Sequence, residues 1–109
     1  MFDARILIVE DEGIEALDIQ QRLVNLGYPT PEFVFSGAEA VKKAEEEYPD
    51  LVLMDIKLRG DIDGIRAAEL IKARFDVPVI YLTAYADDDT LQRAKVTEPH
   101  GYIIKPFTE

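Results

Sequence analysis

Four short apolar runs of this 109-residue chain each end in a charged or hydroxyl-bearing residue. Asp55 follows LVLM, at a point where a carboxylate is costly unless other groups stabilise it. The acidic pair Glu10 and Asp11 follows RILIV, Thr83 follows PVIYL, and Lys105 follows GYII. A nucleophile, metal-binding carboxylates, a hydroxyl donor and a cation are the components of a phosphoryl-transfer site, if the fold brings them together.

The apolar runs alternate with amphipathic stretches, and this alternation predicts strands and helices in turn. Strands are predicted at 5–9, 32–35, 51–54, 78–82 and 101–104, because these runs are short and mostly apolar, and the first is continuous rather than alternating. Helices are predicted at 13–26, after Ser36 and from residue 65, and a weaker one from residue 87. The residues predicted to face inward on the first three helices are Ala16, Ile19, Leu23 and Leu26; Ala38, Val41, Ala44 and Tyr48; and Ile65, Ala68, Ile71 and Phe75.

This order of elements predicts an α/β fold with a doubly wound, five-stranded parallel sheet in the flavodoxin-like order 2-1-3-4-5. Strands 1 and 3 are then neighbours, and their carboxyl ends place Glu10, Asp11 and Asp55 in one cleft. Like charges about 4 Å apart repel by roughly 4 kcal/mol at an effective dielectric of 20. Either one carboxylate stays protonated or a divalent cation binds, with Lys105 adding positive charge.

The donor types narrow the choice of cation. An all-oxygen cluster with room for water favours Mg²⁺ or Mn²⁺. Zinc favours His or Cys ligands, and the chain has one His and no Cys.

Composition limits the classes of function. We expect residues 1–109 to form a single domain, with no apolar run long enough to cross a membrane. The net charge of −10 argues against nonspecific binding to nucleic acid or to an anionic membrane, since both attract Lys and Arg. The absence of cysteine is compatible with a cytoplasmic location, which we expect.

Taken in order, the motifs resemble the receiver domain of two-component response regulators over nearly the whole chain. ILIVEDE resembles the first strand and its acidic pair, and LVLMDIKLRGDIDG resembles the phospho-acceptor strand and loop. VIYLTAYA resembles the strand that ends in Thr or Ser, and GYIIKPF resembles the last strand with its Lys-Pro pair.

The resemblance implies a role for each acidic residue. Asp55 would accept a phosphoryl group from a sensor histidine kinase, a phosphotransfer protein or a small phosphodonor. Mg²⁺ would be bound by Asp11 and Asp55, by Glu10 through water, and by the backbone carbonyl of Lys57. The only chemistry implied is phosphorylation of the domain's own Asp55 and its autodephosphorylation, so the domain would not be an enzyme in the ordinary sense.

The resemblance also implies how the signal is relayed. Lys105 and Thr83 would contact the phosphoryl oxygens, and Tyr102 would turn inward when Thr83 moves. The Lys105–Pro106 peptide bond would be cis. Phosphorylation adds about two negative charges to Asp55, and the loop from Thr83 into the fourth helix would then reorganise.

One departure from the family concerns the end of the chain. Receivers normally continue with a fifth helix, whereas this sequence stops at PFTE. We expect the natural chain to continue past Glu109, with this sequence being a C-terminally trimmed version. If it ends there, we expect a homodimer through the region of the fourth helix and fifth strand to cover the open apolar face.

Two other classes fit parts of the sequence. One is a pseudo-receiver, an interaction module that is never phosphorylated. The other is a haloacid-dehalogenase-type phosphatase, because DIDG (61–64) is similar to its D-x-D-G motif. That motif must directly follow a buried strand, whereas DIDG lies in a loop six residues beyond one. DIDG also lacks the remaining ligand pattern of a Ca²⁺ loop.

Overall fold

The computed structural model describes residues 4–28, 32–58, 60, 62–83, 93 and 101–104, with the backbone alone at Thr83 and at 101–104. The elements are β1 (Ile6–Val9), α1 (Gly13–Asn25), β2 (Glu32–Val34), α2 (Gly37–Glu47), β3 (Leu51–Asp55), α3 (Gly64–Phe75), β4 (Val79–Thr83) and β5 (Gly101–Ile104). Within these described ranges, no helix combines the length and the apolar character that crossing a membrane requires.

The strands form one parallel sheet in the order β2-β1-β3-β4-β5, as the sequence predicts. Val9 at the end of β1 is level with Met54 of β3, and Asp55 is level with Leu82 of β4. The carboxyl ends of β1, β3 and β4 therefore meet at one edge of the sheet. The predicted fold class is confirmed.

Both faces of the central strands β1 and β3 are buried, which explains why their sequences from Ile6 to Val9 and from Leu51 to Met54 are continuously apolar. In β1, Leu7 and Val9 belong to one core, and Ile6 and Ile8 belong to the other. The larger core lies under α2 and α3, and its buried members include Val34, Ala44, Val52, Met54, Ile65, Ile71, Val79 and Tyr81. The smaller core lies under α1 and contains Ile6, Ile8, Ile19, Leu53 and Leu82.

Side chains and backbone geometry fix the ends of the helices. Ser36 caps α2: its Oγ accepts the backbone N–H of Glu39 at 3.1 Å and also donates to the Glu39 carboxylate at 3.1 Å. The helix predicted after Ser36 therefore begins directly after its cap. After α1 the chain turns at Gly27, whose φ of 107° is a conformation that favours glycine.

Three residues predicted to face inward are exposed. Leu26, the C-cap of α1, is 59% exposed, and Tyr48, the C-cap of α2, is 61% exposed. Tyr48 has a left-handed φ of 45°, so its side chain leaves the helical face and packs edge-on against Phe75 with ring centroids 5.7 Å apart. Ala38 is also exposed, because α2 instead buries Gly37, Ala40 and Ala44. These small residues allow α2 to approach α3 closely.

The remaining differences are small. Strand β3 includes Asp55, and β4 runs from Val79 to Thr83, one residue later than predicted. The predicted weak helix from residue 87 lies outside the described residues except at Arg93, which is helical.

Candidate functional site

Three carboxylates meet at the carboxyl edge of the sheet. One carboxylate oxygen from each of Glu10, Asp11 and Asp55 lies within 4.8 Å of the others. Glu10 is fully buried, Asp55 is 7% exposed and Asp11 is half-buried. Three negative groups at this spacing, largely removed from water, create a strong local demand for positive charge.

Glu10 is fixed by the ends of two neighbouring strands. It directly follows β1, and its backbone N–H donates to the carbonyl of Val34 at 3.1 Å, which continues the pairing with β2. Its Oε1 accepts the backbone N–H of Glu12 at 3.3 Å. Hydrogen bonding of this kind lowers the cost of burying a carboxylate.

Asp55 is the last residue of β3, and the backbone around it is held from two sides. The N–H of Ile56 donates to the carbonyl of Leu82 at 3.1 Å, and the carbonyl of Ile56 accepts the N–H of Gly64 at 2.9 Å. The Asp55 carboxylate itself accepts the backbone N–H of Lys57 on Oδ1 at 3.3 Å. The side chain therefore projects from a rigid strand end and has one oxygen oriented by the chain.

Gly64, the first residue of α3, lies directly against the backbone of Asp55. A Cβ at this position would overlap the carbonyl oxygen of Asp55 and would lie 2.8 Å from its carbonyl carbon. Glycine is thus required for α3 to begin where it does. Asp63 caps the same helix, because its Oδ1 accepts the backbone N–H of Arg66 at 2.9 Å.

Gly37, the first residue of α2, packs closely against the loop between β3 and α3. A Cβ on Gly37 would lie 2.8 Å from Cγ1 of Ile62 and 3.2 Å from Cβ of Ala67. Because Ile62 belongs to the loop that follows Asp55, the start of α2 helps to fix that loop.

The other predicted site residues are placed only in part. The side chain of Lys57 is exposed. Thr83 ends β4 on the edge where Asp55 lies, and Tyr102 of β5 is paired with Tyr81 of β4. The side chains of Thr83 and Tyr102 lie outside the described residues. Lys105 and Pro106 lie outside them as well. The roles assigned to these five residues stay predictions.

Sequence reasoning missed the positioning residues Asp63 and Gly64. Both belong to DIDG, a segment that the sequence analysis compares only with a phosphatase motif and a Ca²⁺ loop. A signal was present: an Asp followed by a helical apolar pattern is typical of an N-cap. The overlap between Gly64 and Asp55 has no such local signal, because it joins residues of two different elements.

A cavity of about 150 Å³ lies at the opposite, amino-terminal edge of the sheet, and its charges compensate one another. Lys43 Nζ lies 2.6 Å from Glu47 and 3.4 Å from Glu32. Hydrogen bonds to Glu47 and Glu32 raise the pKa of Lys43, and the hydrogen bond from Lys43 lowers the pKa of Glu47. These ion pairs link edge strand β2 to α2, far along the sheet from Asp55.

The fold and the acidic edge define a class of signalling domain. A sequence model of the response regulator receiver domain matches residues 6–109. The chain therefore belongs to the response regulator receiver domain family. Receivers of this family work in two-component systems, bind Mg²⁺ at an acidic pocket and interact with histidine kinases or phosphotransfer proteins.

Relatives of known role are longer than this chain. The transcriptional regulatory protein PdtaR of Mycobacterium tuberculosis is 38% identical over 104 residues, which cover 95% of this chain and 50% of PdtaR. The phyllosphere-induced regulator PhyR of Methylorubrum extorquens is 37% identical over 103 residues, covering 94% of this chain and 38% of PhyR. The chain thus spans half or less of the length of these relatives.

Solved receiver structures have the same fold. The signal receiver domain of a modulated diguanylate cyclase from Desulfovibrio desulfuricans superimposes with a TM-score of 0.90 at 38% identity, covering 96% of this chain and 83% of that one. The receiver domain of a sensor histidine kinase from Pseudomonas aeruginosa gives 0.86 at 34% identity, covering 96% and 87%. That structure has a magnesium ion coordinated in its active-site cleft.

Proposed function

We propose that this domain is a phosphorylation-dependent switch whose Asp55 accepts a phosphoryl group from a histidine kinase or a phosphotransfer protein. The observation that carries the proposal is the cluster of Glu10, Asp11 and Asp55 oxygens within 4.8 Å of one another. Asp55 is the member of the cluster that ends the central strand β3, where the surrounding backbone is fixed by hydrogen bonds from β4 and α3. Positioning of this kind is the main contribution that a protein makes to phosphoryl transfer.

Asp55 is the nucleophile in the transfer step. A carboxylate oxygen of Asp55 forms a bond to phosphorus while the bond from phosphorus to the donor's imidazole nitrogen breaks. The nitrogen keeps the electron pair and later takes up a proton, and Asp55 becomes an acyl phosphate. The N–H of Lys57, which donates to Oδ1 of Asp55, helps to hold the carboxylate in line for this displacement.

The carboxylate cluster fits a hard divalent cation. All three side chains offer oxygen, and their spacing permits them to share one ion with water completing the shell. Glu10, Asp11, Asp55 and the backbone carbonyl of Lys57 would hold Mg²⁺ or Mn²⁺. Such an ion supplies charge neutralisation for the incoming phosphoryl oxygens.

The first prediction is that Mg²⁺ stabilises the fold through Asp11. At ten times its Kd, Mg²⁺ should add about 1.4 kcal/mol to the free energy of unfolding, because it binds only the folded cluster. For a domain of this size the melting temperature should rise by roughly 5 to 10 °C. Asp11→Ala should remove most of this rise, measured by thermal unfolding with and without Mg²⁺.

The matched control is Asp18→Ala, which removes a carboxylate that is paired with Arg22 on the exposed face of α1. This variant should keep the full Mg²⁺-dependent rise. A full rise that survives in Asp11→Ala would place the ion away from the cluster.

Phosphorylation itself is tested with acetyl phosphate and Mg²⁺. Intact-mass spectrometry should show the addition of one phosphoryl group, and peptide mapping should assign it to Asp55. If no mass is added by acetyl phosphate or by a phosphorylated histidine kinase, under conditions in which Mg²⁺ binds, the domain is an interaction module that is not phosphorylated.

An exposed apolar pair beside the site supports a protein donor. Ile14 is 86% exposed and Leu17 is 55% exposed on the first two turns of α1, which begins two residues after Asp11. Exposed apolar side chains grouped on one helix face are typical of protein–protein contact. We propose that this pair contacts the donor protein.

The second prediction separates donor contact from chemistry. Replacing both Ile14 and Leu17 by Ser should slow phosphotransfer from a histidine kinase about tenfold, because the complex would then bury less apolar surface. The acetyl phosphate reaction should be unchanged, since it needs no docking surface. Val24→Ser is the control: Val24 is 41% exposed on the same helix, but it lies two turns beyond Leu17, away from the start of α1. Equal losses with both donors would show damage to the site and not to docking.

A further inference from the structure

An ion pair joins two parts of the chain that lie 30 residues apart. The Nη2 group of Arg93 donates to Oδ2 of Asp63 at 2.9 Å. Arg93 is the only residue between 84 and 100 that the structure describes. Asp63 lies directly before α3, at the end of the loop that follows Asp55.

Asp63 uses both of its carboxylate oxygens. Its Oδ1 caps α3 by accepting the N–H of Arg66 at 2.9 Å, and its Oδ2 binds Arg93. The next residue, Gly64, donates its N–H to the carbonyl of Ile56 at 2.9 Å and lies against the carbonyl of Asp55. A continuous series of contacts therefore runs from Arg93 through Asp63 and Gly64 to the backbone of the proposed acceptor.

We propose that the Arg93–Asp63 ion pair is a latch that favours the unphosphorylated arrangement of this series and slows phosphorylation of Asp55. The proposal rests on the proposed function, since it concerns the rate at which Asp55 accepts phosphate. An interaction made in one arrangement and lost in the other shifts their populations by its own free energy. Phosphorylation adds about two negative charges to Asp55, a change large enough to rearrange neighbouring contacts.

The exposure of the pair sets the size of the effect. The side chains of Arg93 and Asp63 are 58% and 32% exposed, so water and salt weaken their attraction. A pair of this kind alters an equilibrium by about 1.5- to 5-fold. An effect of this size adjusts a switch without locking it.

The test measures the rate at which acetyl phosphate and Mg²⁺ phosphorylate Asp55, by intact-mass spectrometry over time. Arg93→Gln and Asp63→Asn should each react about 1.5 to 5 times faster than the wild type. Asn caps a helix as well as Asp does, so Asp63→Asn removes the charge pair and keeps the cap. The double variant should react no faster than the faster single variant, because the two substitutions break one interaction. Arg93→Lys, which keeps the positive charge, should restore most of the wild-type rate.

Two further measurements separate a latch from general loosening of α3. Glu69→Gln breaks a comparable exposed pair, Arg66–Glu69 at 3.4 Å, within α3 itself and should leave the rate unchanged. At about 1 M salt the screening length falls to about 3 Å, so the variants and the wild type should react at the same rate.

The outcomes distinguish the latch from the function on which it rests. The latch would be overturned if Arg93→Gln and Asp63→Asn reacted at the wild-type rate or more slowly. It would also be overturned if Glu69→Gln accelerated the reaction equally. In each case Asp55 would remain the acceptor. Failure of the wild type to take up phosphate from either acetyl phosphate or a phosphorylated histidine kinase would overturn the proposed function, and the latch with it.

Discussion

Asp55→Asn is expected to abolish phosphorylation by acetyl phosphate, to below the detection limit of intact-mass spectrometry. The amide has nearly the shape of the carboxylate, and its oxygen can still accept the N–H of Lys57 that now binds Oδ1. It lacks the anionic oxygen that attacks phosphorus, so the chemistry is lost while the site keeps its form. Because one of three crowded negative charges is removed, we also expect the metal-free variant to melt at a higher temperature than the wild type.

The matched control is Asp50→Asn, just before the other end of the same strand. The Asp50 carboxylate accepts the backbone N–H of Arg5 at 2.8 Å, at the amino-terminal edge of the sheet. This variant should be phosphorylated at the wild-type rate. Persistence of the phosphoryl mass in Asp55→Asn would assign the phosphate to another residue.

The sheet could be predicted from the sequence because burial on both faces leaves a direct signal. In β1 and β3 every position from Ile6 to Val9 and from Leu51 to Met54 is apolar, since alternate side chains enter different cores. Alternation with helical patterns then requires parallel strands, and parallel strands bring their carboxyl ends to one edge. The meeting of Glu10, Asp11 and Asp55 follows from topology and from their position after each strand.

The buried faces of the helices were less predictable, because the position of an apolar residue within a helix affects whether its side chain is buried. Tyr48 continues the apolar spacing of α2, but it is the C-cap and its left-handed φ turns it outward. The buried face of α2 consists of Gly37, Ala40 and Ala44, which contribute little to an apolar pattern. Their burial reflects close approach to α3, and a pattern within one helix does not report the position of another.

Contacts between distant residues at the site had no sequence signal of their own. Arg93 and Asp63 are ordinary surface residue types, and only the fold places their charged atoms 2.9 Å apart. The same is true of Gly64, whose contact with Asp55 depends on the path of the loop between β3 and α3. The sequence thus indicates the reacting groups, while the residues that position them emerge from the three-dimensional arrangement.

Gly64→Ala is expected to destabilise the fold by about 3 kcal/mol and to weaken Mg²⁺ binding. The added Cβ would overlap the carbonyl oxygen of Asp55, and neither backbone can rotate away as a flexible side chain would. Either α3 or the end of β3 must move, and the hydrogen bond from Gly64 to Ile56 would weaken with it. The melting temperature should fall by on the order of 15 °C. Because the movement reaches Asp55, the Mg²⁺ concentration needed for half-saturation should rise as well.

Gly13→Ala provides the control, because Gly13 is also the first residue of a helix, but an added Cβ there would meet no described atom within 4 Å beyond its chain neighbours and its own helix backbone. At that position Ala should be neutral or stabilising by up to about 1 kcal/mol, since it restricts the unfolded chain. Thermal unfolding and Mg²⁺ titration of the two variants side by side isolate the steric effect from helix propensity. If Gly64→Ala matched Gly13→Ala in both measurements, the start of α3 would not position the acceptor strand. A loss of stability with unchanged Mg²⁺ affinity would limit the role of Gly64 to packing.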